Sequence, residues 1–160
     1  MPPALSTPST PNTSCELCTT PGGVLIWQDE HCRVVRVGGT EGHDYPGFCR
    51  VIWHAHVREM SDLGMAARQH LMNVVLATEA TLRTLYQPEK INLASLGNLT
   101  PHLHWHVIPR QRHDPCFPAP IWAPPHRPAT TQNMSPDITT DHLRSTLIQH
   151  LQHLQPQDAT

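Results

Sequence analysis

Histidine alternates with apolar side chains over seven residues of this 160-residue chain, from His102 to Ile108. Successive side chains of a strand point to opposite faces, so the histidines would share one face and the residues between them the other. A helix would mix polar and apolar groups on every face, which neither packs nor forms a site. The sequence therefore predicts a strand whose chemical face carries His102, His104 and His106 and whose buried face carries Leu103, Trp105 and Val107.

Three alternating histidines admit several interpretations. They could be exposed residues of a solvated strand, but strict alternation between Pro101 and Pro109 disfavours this. Two or three imidazoles on one face can converge on Zn²⁺ with tetrahedral geometry. One neutral imidazole can instead act as a nucleophile while the other two orient it and tune its charge.

Composition excludes several classes of function. The formal net charge is -2 with 11 Lys and Arg, which provides no basic surface for nucleic acid. No apolar run approaches the roughly 20 residues that span a bilayer, and residues 1–14 lack the features of a secretory signal. We therefore expect no nucleic-acid or membrane partner and a cytoplasmic location. The five cysteines form no dense framework, which predicts reduced thiols, with Cys32, Cys49 and Cys116 as small buried residues.

Residue patterns divide the chain into four parts. Residues 1–14 contain little that could be buried and are expected to be a disordered leader. Residues 15–112 form the predicted catalytic domain, 113–134 a proline-rich irregular segment, and 135–160 a helix and tail that begin at Ser135-Pro136. Within the domain, a helix-period stripe predicts one long helix from Ser61 to Tyr86. The predicted strands are Val24–Trp27, Arg33–Val37, Phe48–Trp53 (after a loop at 42–47), Lys90–Ala94 and Leu103–Pro109.

The histidine strand and the residues before it resemble the signature of the histidine triad (HIT) superfamily. That signature is His-φ-His-φ-His-φ-φ, in which φ is apolar, and residues 102–108 match every position. Residues 51–57, followed by Ser61-Asp62-Leu63, are similar to the family's earlier strand, which ends in a histidine before the central helix. The resemblance covers residues 15–110. It implies an α+β fold, a half-barrel of antiparallel sheet with one long central helix, here with an additional C-terminal helix, and a homodimer.

The resemblance also implies a reaction. In such proteins the middle histidine, His104 here, attacks the α-phosphorus of a nucleotide, and water cleaves the nucleotidyl-histidine intermediate. His106 would contact a phosphate oxygen or support the leaving group, and His102 would orient its neighbours. The matching substrate-binding positions are Asn92, Gly97 and Asn98. Substrates would be dinucleoside polyphosphates, such as diadenosine tetraphosphate, or nucleoside phosphoramidates. A zinc-dependent hydrolase with the triad as metal ligands, and a non-catalytic nucleotide-binding module, are the alternatives.

A Cys-x-x-C motif, Cys15 and Cys18, opens the domain. Alone it is compatible with half a zinc site, a redox pair or chance. Zinc-bearing branches of the HIT superfamily have a similar pair together with two histidines, and the matching residues are His56 and His102. His54 lies two residues from His56 and is an alternative ligand. The zinc would be structural and would make His102 a metal ligand beside the catalytic His104.

Overall fold

A computed structural model describes residues 12–128 and 135–154 of the chain. Those residues form a mixed α+β fold in which a short helix precedes the sheet and two longer helices pack on it. The helices are α1 (Glu16–Thr19), α2 (Gly39–Asp44), α3 (Met65–Tyr86) and α4 (Thr140–Leu154), and a 3-10 turn spans Met60–Asp62. The strands are β1 (Val24–Gln28), β2 (Cys32–Arg36), β3 (Cys49–Trp53), β4 (Lys90–Ala94) and β5 (His104–Arg110).

The five strands form one open antiparallel sheet in the order β1-β2-β3-β5-β4. The predicted fold class is therefore confirmed. Strand β3 lies between β2 and β5, and its register with β5 pairs Ile52 with His104 and Arg50 with His106. Directly paired residues share a face of the sheet. The register thus brings an arginine from the middle of β3 beside the histidines of β5.

Helices α3 and α4 cover one face of the sheet and form the main core with it. Leu103 and Val107 point into this core, at 2% and 0% exposure, as the alternation of the histidine strand predicts. Helix α3 buries its apolar stripe there, and burial of one such side chain stabilises the fold by roughly 1.5–3 kcal/mol. Its fully buried members include Leu71, Val74, Val75 and Leu82.

Three helices differ from the sequence prediction. Helix α3 begins at Met65 rather than Ser61, because the Asp62 carboxylate accepts the backbone N–H of Glu59 and closes a separate turn. Helix α4 begins at Thr140 rather than Ser135, because the Thr139 hydroxyl caps it by accepting the N–H of His142. Helix α2 occupies part of the predicted loop at 42–47.

Two irregular segments cover the opposite face of the sheet. Residues around α1 place Cys15 and Leu17 against Val35 and Ile52, and together these four form a small buried cluster. Residues 113–128, which contain no helix or strand, place Cys116 and Ile121 against Phe48 and Ile108 in a second cluster. Between these clusters lie Arg50, His104 and His106, which we call the central strip. Residues 1–11 of the expected leader, residues 129–134 and residues 155–160 lie outside the described residues.

Candidate functional site

His104 is held in one orientation by its own strand. Its Nδ1–H donates a 2.6 Å hydrogen bond to the backbone carbonyl of His102, and the side chain is 7% exposed. The other ring nitrogen, Nε2, has no hydrogen-bond partner among the described residues. A carbonyl oxygen accepts only, so this bond places the proton on Nδ1 and leaves the Nε2 lone pair free. His104 therefore presents an oriented nucleophile or base.

His106 lies beside it in an aromatic setting. Its ring is T-shaped to the His104 ring at 4.8 Å and to the Trp122 ring at 5.1 Å, and Phe48 lies 5.6 Å away. His106 is 6% exposed, and its Nδ1 is fully buried with no hydrogen-bond partner in the part of the chain that the structure describes. A buried polar atom without a partner is uncommon, and water or a ligand is its usual partner in such a place.

Burial also sets the charge of these imidazoles. It lowers the pKa of His104 below its ordinary value, and the charge of Arg50 lowers it further, although the bond to His102 acts in the opposite direction. Burial, together with the charges of His104 and Arg50, lowers the pKa of His106 to about 3. Both rings are therefore neutral at physiological pH, and Arg50 supplies positive charge to the central strip.

Four metal-ligating side chains meet on the N-terminal side of the strip. His102 Nδ1 lies 3.4 Å from both the Cys15 and the Cys18 sulfur, and His56 Nδ1 lies 3.3 Å from the Cys18 sulfur. All four ligand atoms lie within 4.8 Å of one another. The edge of a tetrahedral zinc site between sulfur and nitrogen is roughly 3.5 Å, from the usual Zn–S and Zn–N bond lengths. These donors therefore fit a closed Cys₂His₂ site.

The surroundings of His102 support the same interpretation. Its Nε2–H donates to the backbone carbonyl of Trp53 at 2.6 Å, which leaves Nδ1 unprotonated toward the cysteines. Metal-binding histidines are characteristically oriented by such a bond from the other nitrogen. His54 turns away, toward Arg33 and the carbonyl of Asp29. The geometry thus selects His56 over His54.

Two of the three predicted substrate-binding residues, Gly97 and Asn98, lie in the turn between β4 and β5. Asn98 is exposed there, and Gly97 has a φ of +86°, which favours glycine. Asn92 lies in β4, and its side-chain oxygen accepts a 2.7 Å bond from Arg110, which gives it a structural contact. Contact of these residues with substrate stays a prediction.

A second group of possible metal ligands lies elsewhere. Asp29, Cys32 and His70 are within ligand range of one another. The Asp29 carboxylate lies 2.7 Å from His70 Nε2 and also accepts the N–H groups of His31 and Cys32, so hydrogen bonds already satisfy it. The group is a structural link between the β1–β2 turn and α3.

Sequence reasoning missed two neighbours of the histidines, Arg50 and Phe48. Both lie in or next to an apolar strand, and only the pairing of β3 with β5 brings them to His106. Trp122, in the proline-rich segment, places its half-exposed ring against His106.

The open antiparallel sheet and the packed long helix place this chain among the α+β proteins. The buried pair His104 and His106 gives it a candidate site built on histidine. Within that class, the family model of the HIT domain matches residues 23–113. The chain belongs to the HIT domain family, as the sequence resemblance implied.

Solved structures of similar fold agree. A histidine triad protein from Marinobacter aquaeolei is 24% identical, with a TM-score of 0.63, over 89% of this chain and 97% of that one. A histidine triad protein from Bradyrhizobium japonicum is 23% identical, with a TM-score of 0.62, over 82% and 92%. A hypothetical histidine triad nucleotide-binding protein from Sulfolobus tokodaii is 16% identical, with a TM-score of 0.52, over 82% and 85%. Comparison with curated proteins gives no match.

Family membership supports a function of the nucleotide-binding or hydrolase type. Among the described residues, no helix has both the length and the apolar character needed to cross a membrane.

Proposed function

We propose that this protein is a nucleotide hydrolase or nucleotidyltransferase that acts at the α-phosphate of its substrate through a covalent intermediate on His104. One observation carries the proposal: the 2.6 Å bond from His104 Nδ1–H to the carbonyl of His102, which leaves Nε2 free beside His106. An imidazole anchored in this way can attack without first losing a proton.

The reaction has two displacements. In the first, His104 Nε2 bonds to the α-phosphorus and the bond from phosphorus to the leaving group breaks, so the leaving group departs with the electron pair and takes a proton from solvent. In the second, water or another acceptor attacks the phosphorus and gives a proton to solvent, the phosphorus–nitrogen bond breaks with its electron pair returning to Nε2, and the neutral imidazole is restored. His106 contacts a phosphate oxygen, and Asn98, Asn92 and Gly97 remain candidates for further substrate contacts.

Dinucleoside polyphosphates and nucleoside phosphoramidates are the substrate classes to test. The family to which the chain belongs and the nucleotide-binding description of the Sulfolobus tokodaii protein support this choice. A cytoplasmic location, expected from the sequence, stays a prediction.

The Cys15, Cys18, His56 and His102 site would hold a structural zinc ion. When bound, the ion would supply a cross-link between the N-terminal segment and the start of β5. His104 and His106 are members of neither group of metal-ligating atoms among the described residues, which favours covalent catalysis over a metal ion held by the triad.

The proposal includes a homodimer. Strand β4 is an edge of the sheet, and Leu93 and Leu96 are exposed on and beside it. A groove of about 730 Å³ along the same edge is lined by Ile91, Leu93, Leu96 and Trp122, among others. An uncovered edge with apolar neighbours suits pairing with a second copy, which sedimentation equilibrium would measure.

His104→Asn tests the mechanism. Turnover of diadenosine tetraphosphate and adenosine phosphoramidate should fall by roughly 10³-fold or more, since the nucleophile is lost, while nucleotide binding is retained. Radiolabelled substrate should label the wild type covalently and leave the variant unlabelled. His142→Asn, an exposed change on α4, is the matched control and should keep full activity. Full turnover by His104→Asn would refute the mechanism, and binding by wild type without turnover of any nucleotide would favour a non-catalytic binding module.

A further inference from the structure

Arg50 is a charged residue in the middle of an otherwise apolar strand. The other residues of β3, Cys49, Val51, Ile52 and Trp53, are all buried and apolar. Arg50 lies directly opposite His106 in β5, and its side chain is only 25% exposed. A guanidinium in such a place loses much of its hydration and needs acceptors in return.

The acceptors it has are few and distant. Arg50 Nη1 donates to the carbonyl of Gly22 and Nη2 to the Glu41 carboxylate, both at 3.3 Å, which is long for a charge-assisted bond. Its Nε is fully buried and has no partner among the described residues.

Two other arginines of the same sheet show what a satisfied guanidinium looks like here. Arg33 donates to the carbonyls of Leu17, Thr20 and Pro21 at 2.7–3.1 Å. Arg110 donates from all three nitrogens, to a carboxylate, an amide and a carbonyl, at 2.7–3.0 Å. Of these three arginines, Arg50 alone has a nitrogen with no partner among the described residues.

The residue opposite Arg50 in the sheet also has a nitrogen without a partner among the described residues. His106, its cross-strand partner, has a fully buried Nδ1 that also has no partner within residues 12–128 and 135–154. The carboxylate that contacts Arg50 is that of Glu41, which is 47% exposed at the rim in α2. The guanidinium is still partly exposed and carries positive charge, so a ligand that binds it would carry acceptor oxygens and negative charge, as phosphate does.

We propose that Arg50 is a phosphate-binding residue of the central strip, and that Glu41 is its counter-ion in the absence of substrate and leaves it when the phosphate binds. The proposal rests on the proposed function, because the phosphate is that of the substrate that His104 attacks. Arg50 supplies positive charge that balances the negative charge of the phosphate.

The assigned roles predict that two substitutions change the affinity for phosphate in opposite directions. Arg50→Gln removes the charge and should weaken phosphate binding. Glu41→Gln removes a competitor for the guanidinium and should strengthen it. If the Glu41–Arg50 pair served only to hold α2 against the sheet, Glu41→Gln would instead weaken phosphate binding, because loss of the pair would loosen the site.

The test uses the 160-residue chain loaded with zinc, and calorimetry follows its titration with inorganic phosphate and with adenosine monophosphate at fixed low ionic strength. Arg50→Gln should raise the Kd by about tenfold or more, as expected for a lost charge-assisted hydrogen bond. Arg50→Lys should give a Kd between those of the wild type and Arg50→Gln, because lysine keeps the charge but lacks the planar guanidinium. Glu41→Gln should lower the Kd about two- to fivefold, as expected for a half-exposed ion pair.

Arg112 and Glu89 form an exposed ion pair at the end of β5 opposite to His104, and they provide matched controls. Arg112→Gln and Glu89→Gln change the net charge by the same amounts and should leave the Kd within about twofold. Thermal melting of every variant reports folding, and Glu41→Gln with Arg50→Lys keep the test valid if Arg50→Gln does not fold.

The outcomes are separable. No phosphate binding by wild type, an Arg50→Gln Kd equal to that of Arg112→Gln, or weaker binding by Glu41→Gln would overturn the role of Arg50. Arg50-dependent binding of phosphate without turnover of any nucleotide would instead support the anion site and refute the proposed function.

Discussion

The buried ion pair between Arg110 and Asp114 should carry a large share of the protein's stability. The two side chains are 2% and 5% exposed and form two hydrogen bonds, of 2.8 and 3.0 Å. Asp114 also accepts the backbone N–H groups of Cys116 and Phe117, which shapes the start of the irregular segment over Phe48. Asp114→Asn leaves the Arg110 charge buried without its counter-ion.

Breaking a buried pair in this way costs about 3–5 kcal/mol, against a total stability of roughly 5–15 kcal/mol for a domain. We therefore expect urea unfolding of Asp114→Asn to give a free energy lower by about 3–5 kcal/mol and a Tm lower by roughly 10 °C. The exposed Arg112–Glu89 pair is the contrast, since Glu89→Gln should cost about 0–1 kcal/mol. Equal losses from the two substitutions would refute the reasoning.

The contribution of Asp114 to the stability of the fold should depend on pH in a defined direction. Burial raises the pKa of Asp114, but the hydrogen bonds and charge of Arg110 outweigh it and hold the pKa below its ordinary value of 3.8. A carboxyl group with a lowered folded pKa contributes its stability above the unfolded pKa and loses it as the pH falls through the folded one. The difference between wild type and Asp114→Asn should therefore be full at neutral pH and shrink below the ordinary pKa. A difference that grew on acidification would contradict this assignment.

Two further predictions concern the cysteines. Cys18→Ser should reduce bound zinc, measured by elemental analysis, from about one ion per chain to near zero and should lower the Tm, because three protein ligands make a weaker structural site. Cys116→Ser is the matched control and should keep its zinc. Zinc retained by Cys18→Ser would exclude the assigned site. Burial raises the pKa of Cys49 to about 12, so Cys49 should resist alkylation in the native protein and react only on unfolding; rapid labelling under native conditions, detected by mass spectrometry, would disprove its burial.

The spacing of apolar residues and the positions of turn-forming residues were enough to predict the strands and the long helix. Each predicted strand lies within one or two residues of an observed one, because each has a buried face and flanking turn residues. Helix α2 could not be predicted, because it contains Gly39 and Gly42, and glycine disfavours helices. The structure requires glycine at position 42, since a Cβ there would lie 2.2 Å from the carbonyl oxygen of Val37. Tertiary packing, rather than local propensity, sets that helix.

The candidate site was predicted in part for a similar reason. The motif alone gives His104 and His106 a common face, but β5 begins at His104, so His102 precedes the strand and turns to Cys15 and Cys18. Local alternation cannot show where a strand starts. Arg50 was invisible because a single arginine in a strand looks like any solvent-facing residue until the register with β5 is known.

The central strip has a floor made of strands, and its walls are the short helix α1 with its flanking residues and an irregular loop segment. Its residues belong to β3 and β5 in the middle of the sheet, whereas the segment around α1 and residues 113–128 stand on either side without any strand of their own. Loops accept insertions and substitutions that a central strand does not. Divergence in what such a protein accepts could therefore proceed by lengthening or exchanging either wall, with the reacting groups kept in register beneath. For protein engineering, the two walls are the segments to randomise, with the buried anchors Leu17 and Cys116 and the metal-ligating pair Cys15 and Cys18 kept unchanged.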